Sequence, residues 1–242
     1  MKTRAGFTLL ELLVSTAVIA ILAVLMLSAL AKMRGIGQSA HCANSLRQLG
    51  VATQLYLGEH DRRMFAYSQA VKGGRLWYFG LESSGSLGQH EGSREVDVTQ
   101  SPLYPYIQQV GGIEICPAFP YGVSIWKPKY HGASWGYGFD TTISNVVATN
   151  IPAPSRVILF GDCAQVNTFQ SPASPGHPML EEFYMIESNY RTIHFRHGAH
   201  ANLLFLDGHI EAMTMCPGTQ DDRLPEANVG RITPVGSKDY LY

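Results

Sequence analysis

Five side chains near the C-terminus, His194, His197, His200, Asp207 and His209, are of types that bind metals, since imidazole and carboxylate both ligate zinc. Their spacing argues against it. Intervals of three share a face on a helix but alternate faces on a strand, and Gly198 and the Asp207-Gly208 pair point to strands here. No metal site and no cofactor is expected. Calcium at Asp207 lacks the clustered carboxylates of an EF-hand loop. A second arrangement, Gly132-Ala133-Ser134-Trp135-Gly136, fits the G-x-S-x-G pattern of a nucleophile elbow, and aspartates and then histidines follow in hydrolase order. Its surroundings do not fit, because the elbow needs an apolar strand before the serine and Lys127-Pro128-Lys129-Tyr130-His131 stands there. The chain is therefore expected not to be an enzyme. Four cysteines, Cys42, Cys116, Cys163 and Cys216, include no C-x-x-C pair, and as two disulfides they allow three pairings.

Residues 12–31 carry no charge and only Ser15, Thr16 and Ser28 as polar groups. A helix of about 20 such residues spans a bilayer core of about 30 Å. A secretory signal peptide would also begin with basic residues, here Lys2 and Arg4, and could end at Ala29-Leu30-Ala31. Its apolar core is usually shorter, and Glu11 lies in the first turns, where a carboxylate is costly without a partner. Lys2 and Arg4 precede the span and Lys32 and Arg34 follow it, so the positive-inside count leaves orientation open. Beyond it, residues 40–59 lack proline and put Leu46, Leu49, Thr53 and Tyr56 on one stripe, widened by Leu55. The pattern predicts one helix from Phe7 to about His60, bent near Gly35 and Gly37. Lys plus Arg (18) nearly balances Asp plus Glu (19), which excludes the basic field of a general nucleic-acid binder.

Arg4-Ala5-Gly6-Phe7-Thr8-Leu9-Leu10-Glu11-Leu12, set before the apolar run, resembles the cleavage and methylation motif of type IV prepilins and type II secretion pseudopilins. The resemblance implies cleavage after Gly6, N-methylation of Phe7, and an inner-membrane, single-pass product with its head outside the cytoplasm. It also implies partners: copies of itself or related pilins, the prepilin peptidase and an assembly platform. The new amine at Phe7 would be mostly charged at neutral pH, and Glu11 is its natural counter-ion, within the chain or across a helix bundle.

The head, residues 61–242, reads as α+β. Apolar and aromatic runs at 75–79, 113–117 and 135–139 suggest short strands, and 82–101 reads as an exposed loop. Residues 104–107 suggest a helical turn. Residues 156–162 form a continuous apolar run suited to a central strand. Residues 201–206 and 209–213 flank Asp207-Gly208, a preferred pair for a two-residue type I′ hairpin. A sheet of these strands would cover the outer half of the helix, and a Cys42–Cys116 bridge would staple the two.

His197, nine intervening residues, then Asp207-Gly208 also resembles the H-X9-DG pattern of a large prepilin-like family. Cys42 to Gly50, Ile115-Cys116-Pro117 and Pro154 to Asp162 are similar to further stretches of it. The pattern's name records no chemistry; Asp207 and Gly208 are expected to make the turn and His197 to bond locally. The expected function is a structural subunit of a type IV pilus-like filament or a type II secretion pseudopilus. The alternative is a ligand- or polysaccharide-binding protein on a pilin-type anchor, reading its ligand through Trp77, Trp126 and Trp135.

Overall fold

The computed structural model describes residues 8–110, 113, 115–131, 136–187, 189–234, 236–237 and 239–241. The chain divides into two compact units, Met1–Gly37 and Gln38–Tyr242. Helix α1, Leu9–Glu59, is a single uninterrupted helix, so Gly35 and Gly37 do not break it. Its start is a capping box: Glu11 N–H donates to Thr8 Oγ1 (3.2 Å), and Thr8 N–H donates to Glu11 Oε2 (2.8 Å).

In the first unit the apolar side chains of α1 lie open, from Leu9, 82% exposed, to Ile36, 62% exposed. Eighteen residues of α1 reach a mean hydropathy of 2.6, long and apolar enough to cross a membrane.

In the second unit, α1 buries Cys42, Leu46, Leu49, Ala52 and Leu57, spaced as one helical face demands. Thr53 joins them, its hydroxyl donating to the Leu49 carbonyl at 2.8 Å. Leu55, expected to widen the stripe, is instead exposed, and Leu57 takes that place.

The main sheet has five strands: β4 Tyr137–Asp140, β5 Ile158–Asp162, β8 Met185–Ile186, β10 His200–Phe205 and β11 Ile210–Thr214, in the order β11-β10-β5-β4-β8. All neighbours are antiparallel except β4 and β8. Smaller sheets pair β1 Ser68–Val71 with β2 Gly74–Trp77 and β2 with β3 Gly80–Ser83, β6 Gln165–Asn167 with β7 Met179–Glu181, and β9 Ile193–His194 with β12 Val229–Gly230. Short helices α2, Ser84–Leu87, and α3, Tyr104–Gln109, complete the α+β head; α3 is the turn expected at 104–107.

The main sheet is covered on both faces, which is why β5 and β10 read as continuous apolar runs rather than alternating ones. From β10, Leu204 packs in the cluster that holds α1's buried face, while Ala201, Leu203 and Phe205 pack in a second cluster with Ile193 and Phe195. Contact with α1 is close at Gly50, where a Cβ would stand 3.2 Å from Leu204 Cδ2.

The head departs from expectation at residues 82–101 and at Cys116. Residues 82–101 are not one exposed loop: Glu82 ends inside β3 and is fully buried, and Ser86 and Ser101 are buried too. Their polarity is matched internally, Glu82 by Arg94 and Trp77, and Ser101 Oγ by the Tyr78 carbonyl at 2.6 Å. Cys116 lies in a turn-rich stretch rather than on a strand.

Candidate functional site

The N-terminal motif and the cluster around His197 are the two places where the chain collects chemistry. Gly6 and Phe7 lie outside the described residues. Glu11 lies within them, and its carboxylate is held by Thr8 alone among the described residues, through the backbone N–H and through Oγ1 at 2.8 Å. The reading of Glu11 as a counter-ion overlooked this, although Thr8-Leu9-Leu10-Glu11 is a legible S/T-x-x-E capping sequence. The box keeps the carboxylate at the first turn, where the helix's positive end favours it.

The second place is buried. Cys42, on the outer half of α1, and Cys116 form a disulfide with Cα atoms 5.3 Å apart. This is the helix-to-head staple, but it is a single bridge and not one of two: Cys163 is free and buried, and Cys216 is free and half-buried. His197 Nε2 lies 3.6 Å from Cys116 Sγ and 3.3 Å from Asp162 Oδ2. The His197 side chain thus bonds across the fold, not locally as expected; only its backbone is local, exchanging hydrogen bonds with His200.

Asp162, the last residue of β5, is fully buried and organises the site. Its Oδ1 accepts from Arg196 Nη2 at 2.6 Å, and its Oδ2 accepts from the Asn202 backbone N–H at 2.8 Å. Burial pushes its carboxyl up, but the Arg196 guanidinium, His197 and the Asn202 N–H more than offset that and hold it below the usual range. Arg196 also donates to the Gly136 and Cys163 carbonyls at 2.8 and 3.3 Å. The sequence reading placed Asp162 on a strand and assigned it no role; a carboxylate ending a fully apolar run was the available signal. Burial pushes the pKa of the free Cys163 thiol up, which favours the protonated form.

Asp207 and Gly208 lie at the other end of β10 from His197. Phe205 N–H donates to the His209 carbonyl and Gly208 N–H to the Phe205 carbonyl, both at 2.9 Å. Gly208 has φ +94°, whereas Asp207 is not among the residues with positive φ. The connection is therefore a three-residue loop, Leu206-Asp207-Gly208, with glycine in the left-handed position, not the type I′ pair expected. Asp207 Oδ1 accepts from the His209 N–H and meets His209 Nδ1 at 2.6 Å, which fixes the turn.

The remaining candidates disperse. His200 and His209 point outward, and His194 is buried beside Arg196, its Nδ1 3.2 Å from Nη1. Burial, and then the Arg196 charge, press the His194 imidazole well below its ordinary pKa. Of the five C-terminal candidates, the structure brings only His197 to a group with metal-ligating geometry, whose other members are Cys42, Cys116 and Asp162. Ser134 and Trp135 lie outside the described residues. Trp77 lines a cleft of about 380 Å³ at the end of α1; its N–H donates to Glu82 and its ring contacts Tyr67, Phe79 and Arg75. Trp126 is half-buried edge-on to Tyr121.

Residues 1–27 match the prokaryotic N-terminal methylation motif. The match supports a prepilin-type protein, and with the exposed apolar helix it fits a membrane-anchored chain. No curated protein and no solved structure matches the chain.

Proposed function

We propose that this prepilin-type chain is a non-enzymatic filament subunit. A prepilin peptidase cuts between Gly6 and Phe7, the new N-terminus is methylated, and the first half of α1 holds the protein in the inner membrane with the head outside the cytoplasm. On assembly the same helix enters the core of a type IV pilus-like filament or a type II secretion pseudopilus, packed against copies of itself or related subunits on an inner-membrane platform.

The observation that carries this reading is the open apolar surface of α1 from Leu9 to Ile36, following a methylation motif. So large an apolar surface is unstable in water and demands lipid or other helices. The Thr8–Glu11 box holds a carboxylate at the start of α1, and in such a bundle its pairing with the Phe7 amine of a neighbour would set axial register.

The test is the intact mass of the membrane-extracted protein, co-expressed with its own peptidase, against Gly6→Leu. A chain beginning at methylated Phe7, with the leader retained in the variant, is expected. A chain beginning at Lys32 would mark a secreted soluble domain and overturn the proposal.

A further inference from the structure

The ligating atoms of Cys42, Cys116, Asp162 and His197 all lie within 4.8 Å of one another, on four separate stretches of chain, each side chain buried. We infer that in the dithiol form of the protein these four residues bind a zinc ion, so that one buried site holds either a disulfide or a metal.

Three features carry this. The donor set, two thiolates, an imidazole and a carboxylate, matches the ligands of tetrahedral zinc. In such a site, sulfurs bonded at about 2.3 Å stand about 3.8 Å apart. The four atoms already stand within 4.8 Å, so closure needs side-chain rotation and not movement of strands.

Charge balances in both forms. With the disulfide closed, the site holds Asp162 and its partner Arg196, 2.6 Å away, for a net charge of zero. With zinc, two thiolates and Asp162 contribute three negative charges, and the ion and Arg196 three positive, again zero. A net charge at this depth would be costly.

The elements are also fixed independently. Asp162 is held by the Asn202 backbone, and Asn202 Nδ2 donates to the Ser39 carbonyl of α1 at 3.2 Å, so the helix and sheet ends stay together when the S–S bond opens.

Reduction by an external dithiol delivers two electrons and two protons to the sulfurs and leaves that reductant as its own disulfide. Zinc then displaces both thiol protons. Neither the spacing of the C-terminal histidines and Asp207 nor the absence of a C-x-x-C pair points to this site, because its ligands are far apart in sequence.

The experiment uses the full-length chain in detergent, in two states. One keeps the disulfide. The other is reduced by a water-soluble phosphine under argon, the phosphine leaving as its oxide with oxygen from water. Each is titrated with cobalt(II) and then zinc(II). The reduced chain is expected to take one cobalt with tetrahedral d–d bands and a sulfur-to-cobalt charge-transfer band, both lost when zinc displaces it; the oxidised chain takes none. His197→Gln weakens binding by at least about tenfold, and Cys216→Ser leaves it unchanged. Near-ultraviolet circular dichroism reports whether each reduced sample keeps its tertiary packing. Equal binding by the oxidised chain, binding without the charge-transfer band, or a reduced wild type that stays folded yet takes no cobalt would each overturn the inference. So would a reduced wild type that loses its packing and does not regain it with zinc.

Discussion

Replacing Cys42 and Cys116 together by alanine removes the disulfide that ties α1 to the head. The bond joins positions 74 apart in sequence, and the loop-closure entropy it takes from the unfolded chain amounts to about 4.4 kcal/mol at 25 °C. With a urea dependence of about 2–3 kcal/mol/M, the unfolding midpoint should fall by roughly 1.5–2.2 M. The assay is urea titration of the detergent-solubilised full chain, with a chelator present, followed by tryptophan fluorescence. Wild type in reductant should unfold at the double variant's midpoint, and denatured wild type without reductant should titrate two thiols, from Cys163 and Cys216. Four thiols, or coincident midpoints for wild type and variant, would refute the assignment of this bond as the helix-to-head staple.

The buried His194 should make the head sensitive to mild acid. Its pKa is depressed on folding, so the stability it contributes is complete above the unfolded value near about 6.5 and is lost as pH falls from there toward the folded value, by about 1.4 kcal/mol per pH unit. His194→Gln should flatten the pH dependence of the urea midpoint between about pH 6.5 and 5; an unchanged slope would assign it to another group. Arg94 holds the fully buried Glu82 through two bonds of 2.6 and 2.8 Å, so Arg94→Ala strands a charge and should cost about 3–5 kcal/mol by the same titration. Glu82→Gln in the Arg94→Ala background should recover part of that loss, and a loss unaffected by it would show that the charge is not the cause.

How much of this was legible in the sequence depended on the range of the interaction. The apolar anchor and the Gly6-Phe7-Glu11 motif are matters of composition and short spacing, and α1 follows from them. The β5 and β10 strands were legible because burial on both faces leaves an unbroken apolar run. Turn type at Asp207-Gly208 was not, since the same dipeptide serves a two-residue and a three-residue loop. The choice rests on Leu206, which is buried and so held at the edge of the core rather than in the strand pair. The segment 82–101 was misread because polarity was taken for exposure, whereas Glu82 and Ser101 are satisfied by partners 12 and 23 residues away. The His197 site lay further out of reach, its contact with Cys116 spanning 81 residues.

The spacing from His197 to Asp207 has a physical reading in this fold: it measures a strand. His197 and His200 bracket a tight turn, β10 runs from His200 to Phe205, and Leu206-Asp207-Gly208 turns back into β11. Between these turns β10 must alternate faces in register, Leu204 toward α1 and Leu203 and Phe205 toward the second cluster. One residue more or less would exchange the faces at one end. The same register puts Asn202 N–H on Asp162, and Asp162 on His197, so the turn at Gly208 and the buried disulfide are tied to one strand length. The same strand also meets α1. Gly50 and Ser39 of α1 meet β10 directly, at Leu204 and Asn202, and Cys42 is bonded to Cys116, which His197 contacts at the start of that strand.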